Sequence, residues 1–191
     1  MKIFLDVGSH TGETLDEVVK PYHGFDVIYA FEPSNVCFKL LQEKYPGINL
    51  CNIGLSNASG EIKLYDPGSD GASVYQDKVD LHNKDFEIIR TVEASEWITN
   101  NTSPDDIIYM KLNCEGSECD IIENLIHKCV YDRIAHIMID FDVRKIPSQR
   151  HRENDILRLL MYKKNYHLCN DVMIGISHQD RIRNWLSRCE L

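Results

Sequence analysis

The chain has 191 residues, 43% hydrophobic and 27% charged, a composition that excludes disordered, collagen-like and membrane classes and fits one globular domain over residues 1–191. Its net charge of −9 speaks against non-specific binding to duplex nucleic acid, and its seven scattered cysteines, odd in number and without CxxC spacing, indicate neither a disulfide framework nor a zinc site. With no apolar stretch of ~18 residues and no basic-then-apolar leader, no membrane association is expected and a cytoplasmic location follows.

The first fourteen residues, MKIFLDVGSHTGET, combine a short apolar run, Asp6, two glycines four apart (Gly8 and Gly12) and the opening of a helix. The run is too short for a helix and rich in β-formers, so residues 2–7 are expected to form a buried strand. Leu15, Val18 and Val19 then recur at helical spacing until Pro21 and Gly24. Strand, glycine loop and helix N-terminus suit close approach of the backbone to a small polar ligand, through free N–H groups at the helix start. The GxxxG spacing is not the GxGxxG that seats a pyrophosphate, nor is there a GxxxxGK[ST] loop, so a ligand bearing a carboxylate fits better than a dinucleotide or ATP.

The pattern then repeats. Residues 26–31 (DVIYAF) read as a strand, Pro33 and Ser34 open a helix that Pro46-Gly47 stops, and residues 48–55 (INLCNIGL) read as a third strand. Such alternation implies parallel βαβ units and a doubly wound, mostly parallel Rossmann-like sheet, with its ligand beyond the carboxyl ends of the strands. Glu32, ending the second strand some two dozen positions after the first glycine, stands where such sheets hold ribose hydroxyls.

Residues 56–92 break the rhythm. An edge strand (60–65) and another strand (86–92) flank a Gly/Ser/Asp-rich stretch at 66–75, too polar for the core and expected as a mobile loop over the site. A short helix with Trp97 follows, then a strand at 107–114 and a helix from Ser117. Residues 134–142 are the next central strand, 155–165 an amphipathic helix, and 166–177 an antiparallel closing hairpin before the tail RIRNWLSRC.

At the end of the fourth central-type strand lies KLNCEGSE, residues 111–118. A lysine, an asparagine and two carboxylates at that edge are costly unless paired or hydrated, so Lys111 and Glu115 read as functional, while Glu118 is equally well explained as a helix cap. Asp140 and Asp142 end the next strand. These carboxylates could gather around Mg²⁺, yet their spacing matches no dedicated motif and no metal is assigned.

Taken in order, DVGSHTGET, AFEPSNVCFKLL, NIGLSNASGEIKLY, the GAS of residues 71–73 and KLNCEGSECDII resemble the FkbM family of S-adenosylmethionine-dependent methyltransferases, over residues 1 to about 126. The glycine loop alone is generic to this fold; the ordered set with KxxxEGxE is specific. The resemblance implies a class I methyltransferase fold and transfer of a methyl group from S-adenosylmethionine to an oxygen, often a hydroxyl of a sugar or small molecule. Asp6, Gly8, Ser9, Gly12 and Glu13 would hold the methionine end and Glu32 the ribose. His10, Pro33, Gly54 and Leu55, within the same segments, complete the candidate cofactor contacts. The family's usual KxDxEG has Asn113 in place of its Asp here, which removes one candidate base or metal carboxylate.

The catalytic candidates are Glu115 as base or acceptor-orienting group, Lys111 to stabilise a developing alkoxide, and Asp140 or Asp142 as alternative base. With the first strand starting at residue 2, no N-terminal lid is expected, so the acceptor site would be closed by the 65–90 loop, the basic tail or a second subunit in a homodimer. Residues 144–191 carry a net +5 against −14 for the rest. That leaves two rival readings: a nucleotide or RNA methyltransferase docking its substrate on Arg150, Arg152, Arg158, Lys163 and Lys164, and a non-catalytic cofactor-binding module.

Overall fold

In the computed structural model, residues 1–189 are described. The chain runs β1 (Lys2–Val7), α1 (Leu15–Val18), β2 (Val27–Phe31), α2 (Asn35–Lys44), β3 (Asn49–Cys51), β4 (Gly54–Ser56), β5 (Gly60–Tyr65), β6 (Phe86–Glu93), α3 (Ala94–Asn101), β7 (Ile107–Leu112), α4 (Glu118–His127), β8 (Ile134–Ile139), α5 (Arg152–Leu160), β9 (Tyr166–Leu168), α6 (Cys169–Val172) and α7 (His178–Cys189).

Six strands form one parallel sheet in the order β3-β2-β1-β7-β8-β9. The order reverses between β1 and β7, which sets the crevice of a doubly wound sheet beyond their carboxyl ends. Side-chain alternation along the central strands feeds two cores. Ile3, Leu5 and Val7 join Ile108, Met110 and Leu112 on one face, under Trp97 and Ile98 of α3 and Ile121, Ile122 and Leu125 of α4. On the other face Phe4 and Tyr109 pack with Leu15 of α1, Leu41 of α2 and Trp185 of α7. Among the described residues no helix is long and apolar enough to cross a membrane.

The α/β, mostly parallel architecture agrees with the sequence reading, but three segments differ from it. The stretch 48–55 is two strands rather than one: β3 joins the main sheet and β4 a separate three-stranded sheet, β4-β6-β5. Asn52 makes the break, its Nδ2 donating to the carbonyls of Glu32 and Pro33 and turning the chain away from β2. The closing hairpin expected at 166–177 is absent. Tyr166–Leu168 instead adds to β8 in parallel and runs straight into α6. It arrives through the α5 crossover, which fixes a parallel direction, and Asn170 and Asp171 suit a helix start or turn better than a second strand. Antiparallel pairing joins β5 to β6, with an isolated antiparallel bridge between Tyr65 and Ser73.

The third difference is the 66–85 connection, which is not a purely solvated loop. Asp66 is buried and accepts the His82 N–H and an Asn83 Nδ2 hydrogen, Ser73 pairs with Tyr65, and the Lys78 ammonium is fully buried. Charges enter the interior here because each meets a partner.

Candidate functional site

A cavity of about 350 Å³ opens where β1, β2 and β7 end, within the range of small-molecule sites. Val7, Gly8, His10, Glu13 and Thr14 come to it from the end of β1 and the glycine loop, and Glu32 and Pro33 from the end of β2. Lys111, Asn113, Cys114, Glu115 and Ser117 come from β7 and the turn after it. The second sheet and its loop close the opposite wall with Leu55, Leu64, Ala72, Val74 and Ile89.

The glycine loop is bonded to its own protein. The amides of Gly8 and Ser9 both donate to the Phe31 carbonyl, Gly12 N–H to Ser9 O, and Ser9 Oγ to Asp6 O. Further along, the amides of Asp16, Glu17 and Val18 close the first turn onto the Gly12 and Thr14 carbonyls. Gly8 (φ 82°) is required because a Cβ there would lie 1.8 Å from the Asn113 carbonyl oxygen; Gly12 (φ 93°) because one would enter the Tyr45 ring. Both glycines are required for close approach of protein to protein, and Gly8 also lines the cavity.

Glu32 is the most enclosed carboxylate on the cavity wall. Its Oε2 accepts the His10 N–H at 2.7 Å and its Oε1 the Ser34 N–H at 2.8 Å, and burial pushes its carboxyl up to about 7 against those bonds. Each oxygen keeps a second lone pair for a further donor. Beside it, His10 Nδ1 lies 3.1 Å from Glu13 Oε1, which also accepts Thr11 Oγ1 at 2.7 Å. The Cys37 sulfur and then Glu13 hold the imidazole protonated, up to about 10, while His10 holds Glu13 down to about 2.

Lys111 is turned to the glycine loop. Its Nζ donates to Gly8 O at 2.6 Å and sits 3.3 Å from the fully buried Asp6 carboxylate. Asp6 itself lies behind the cavity wall, with burial raising its carboxyl and Lys111 opposing that. Next along, Glu115 occupies the left-handed region (φ 52°) before Gly116 (φ 116°), where a Cβ would strike Ile146. Its carboxylate is 3.0 Å from Lys78 Nζ and 3.7 Å from Lys145 Nζ. Burial first, then the nearby Asp142 charge, pushes it up to about 7, with Lys78 pulling the other way.

Glu118 does not line the cavity. It is fully buried, and its two oxygens accept the Cys114 and Gly116 amides at 2.9–3.1 Å, fixing the turn that presents Glu115. Asp140 is also outside the lining, 3.8 Å from Arg144, and Asp142 pairs with Lys145 at 3.0 Å. Ser9, Gly12 and Gly54 stand behind the wall rather than in it, whereas Leu55 is part of it.

Several lining residues have no role assigned from the sequence, His178 and Asn113 among them. His178, the first residue of α7, reaches the cavity from 164 positions away, its Nε2 3.1 Å from Thr14 Oγ1, and only the tertiary fold brings it there. Asn113 was noted for its departure from the family pattern; its Oδ1 is buried on the wall with no hydrogen-bond partner among the described residues. An unpartnered buried acceptor is costly, and a ligand donor would relieve it.

The family described as the methyltransferase FkbM domain matches residues 6–189. The chain belongs to the FkbM methyltransferase family. A solved structure of methyltransferase FkbM from Methylobacillus flagellatus KT is 16% identical, with a TM-score of 0.43, covering 66% of this chain and 29% of that one. This chain thus spans under a third of that protein's length. A search of curated proteins finds no match. In this FkbM domain some of the tail's cations are paired, Arg183 with buried Glu17, Arg152 with Asp120 and Glu123, and Lys163 with Asp132, while Arg150, Arg158 and Lys164 are exposed.

Proposed function

We propose that this FkbM domain transfers the methyl group of S-adenosylmethionine to a hydroxyl of a sugar or other small molecule. The observation that carries the reading is Glu32, a buried carboxylate on the wall of a cavity at the sheet's switch point. It has one backbone amide on each oxygen and a lone pair of each to spare. Two ribose hydroxyls would complete it. The fit extends to the neighbours: the His10–Glu13 pair offers both signs of charge to an amino-acid moiety, the buried Asn113 Oδ1 lacks a donor among the described residues, and Leu55, Pro33 and Ile89 form an apolar side for a flat ring.

Bound there, the cofactor supplies a methyl group activated by the positive charge on sulfur. The protein's part is alignment, exclusion of water and removal of the acceptor's proton. Glu115 is the group we assign to that proton. It stands on the cavity wall, and a carboxyl raised to about 7 is matched to taking a proton near neutrality. Lys111 is reassigned from alkoxide stabilisation to positioning, because its ammonium is committed to Gly8 O and Asp6. Asp140, away from the lining, has less support as the alternative base.

The test is formation of S-adenosylhomocysteine by the purified protein across a panel of sugars and hydroxyl-bearing small molecules. Turnover on at least one, with the methyl found on oxygen by mass spectrometry, is expected. Binding of the cofactor without turnover on any would favour the non-catalytic module instead.

A further inference from the structure

Away from the cavity, three potential metal ligands meet at the far end of α7. His136 lies on β8 and His167 on β9. In the parallel register His167 faces Met138, two residues along from His136, so the two imidazoles are diagonal neighbours on one face of the sheet. Their ring centroids are 6.1 Å apart. The last turn of α7 covers that face and brings Cys189 Sγ to 3.8 Å from His167 Nε2. One ligand atom from each residue lies within 4.8 Å of the others, and all three side chains are half-buried.

We propose that His136, His167 and Cys189 form a transition-metal site, best suited to Zn²⁺, that fastens the end of α7 to the sheet edge. Tetrahedral zinc with imidazole and thiolate ligands at about 2.0–2.3 Å sets its ligand atoms about 3.3–3.7 Å apart, so closure needs shifts of roughly 1 Å or less. The borderline-soft N₂S set suits zinc and excludes Mg²⁺ or Ca²⁺, which require oxygen ligands. On binding, the Cys189 thiol releases its proton to solvent, the imidazoles bind through neutral nitrogens, water takes the fourth position and no redox change occurs.

The placement has a consequence for the cavity. The helix that ends in Cys189 begins with His178, eleven residues and about 16 Å away, and His178 lines the cavity wall. A metal at the helix's end would stiffen the element that delivers His178. No sequence spacing betrays the site, because its ligands come from three separate elements.

The experiment uses the whole protein, stripped with a chelator and dialysed, then titrated with Zn²⁺ by calorimetry and with Co²⁺ by absorption. We expect one saturable site per chain, a thiolate-to-cobalt charge-transfer band, and a melting temperature that rises with zinc. Cys189→Ser is expected to lose the band and the thermal shift. His167→Ala and His167→Gln are expected to lose saturable binding, while Cys129→Ser, at an exposed cysteine elsewhere, keeps all three. Circular dichroism of each metal-free variant checks folding, and either His167 variant serves if the other misfolds. A wild-type protein without saturable zinc binding, or a Cys189→Ser protein that keeps the cobalt band, overturns the proposal.

Discussion

Gly8→Ala isolates the reason for the first glycine. At φ 82° an alanine Cβ would stand 1.8 Å from the Asn113 carbonyl oxygen and 2.9 Å from its carbon, both backbone atoms that cannot rotate aside. The left-handed conformation costs about 1–2 kcal/mol for a residue with a Cβ, and forced overpacking about 1–3 kcal/mol. If β1 and the turn after β7 part to make room, the Asn113 N–H to Val7 O bond of 3.2 Å goes too, worth about 1 kcal/mol. A loss of roughly 3–6 kcal/mol is large against the roughly 5–15 kcal/mol of a typical domain. At about 2–4 °C per kcal/mol for a chain of this size, melting should fall by roughly 6–24 °C. Gly24→Ala is the control: its φ is 65° but no atom of the described residues beyond its own neighbours lies within 4 Å of the added Cβ, so only the conformational cost of about 1–2 kcal/mol remains. Thermal melts followed by circular dichroism compare the two. Equal, small shifts would refute the close-approach argument.

Glu115→Gln is expected to lower turnover by ~10²-fold with cofactor affinity near wild type, a typical size for loss of a general base. Because the carboxylate is the active form and its carboxyl lies at about 7, wild-type rate should climb as pH rises through 7; a variant with the same rate and profile removes Glu115 from the chemistry. Glu17 concerns stability. Burial opposes its charge, but hydrogen bonds from Arg183, Lys20, Tyr22 and His23 outweigh that and hold it at about 2, below its ordinary 4.5. Its folded-state value is depressed, so its contribution is complete above pH 4.5 and disappears as pH falls toward 2. Melts of Glu17→Gln against wild type should therefore differ most at neutral pH and converge in acid; a gap constant from pH 2 to 7 would contradict the assignment.

Much of the fold was legible because its central strands are continuous apolar runs between glycine and proline stops, the pattern of a buried parallel sheet. Those of β1, β2, β7 and β8 needed no tertiary information. What stayed hidden depended on contacts distant in sequence. Residues 48–55 look like one strand until Asn52 is seen bonded to the carbonyls ending β2, and residues 166–177 look like a hairpin until the α5 crossover fixes their direction. The burial of Lys78 depends on the Gly71 carbonyl and on the approach of Asp80 and Glu115, contacts no sequence pattern announces. At the site, residues adjacent to the glycine loop and strand ends could be named from the sequence. His178 could not, since its place on the wall follows from how α7 docks. Lys111 was named, but its direction, toward Gly8 O, follows from the parallel pairing of Asp6 with Lys111 across β1 and β7.

The most direct test of the account is calorimetric titration of S-adenosylmethionine into the wild-type protein and Glu32→Ala, with melts to confirm that both are folded. Hydrogen bonds to a charged group contribute about 1.5–3 kcal/mol each, so losing two should weaken binding by about 100-fold or more. One saturable site in the wild type and that loss in the variant are the predicted result; no binding by the wild type, or equal affinity in the two folded proteins, would contradict it.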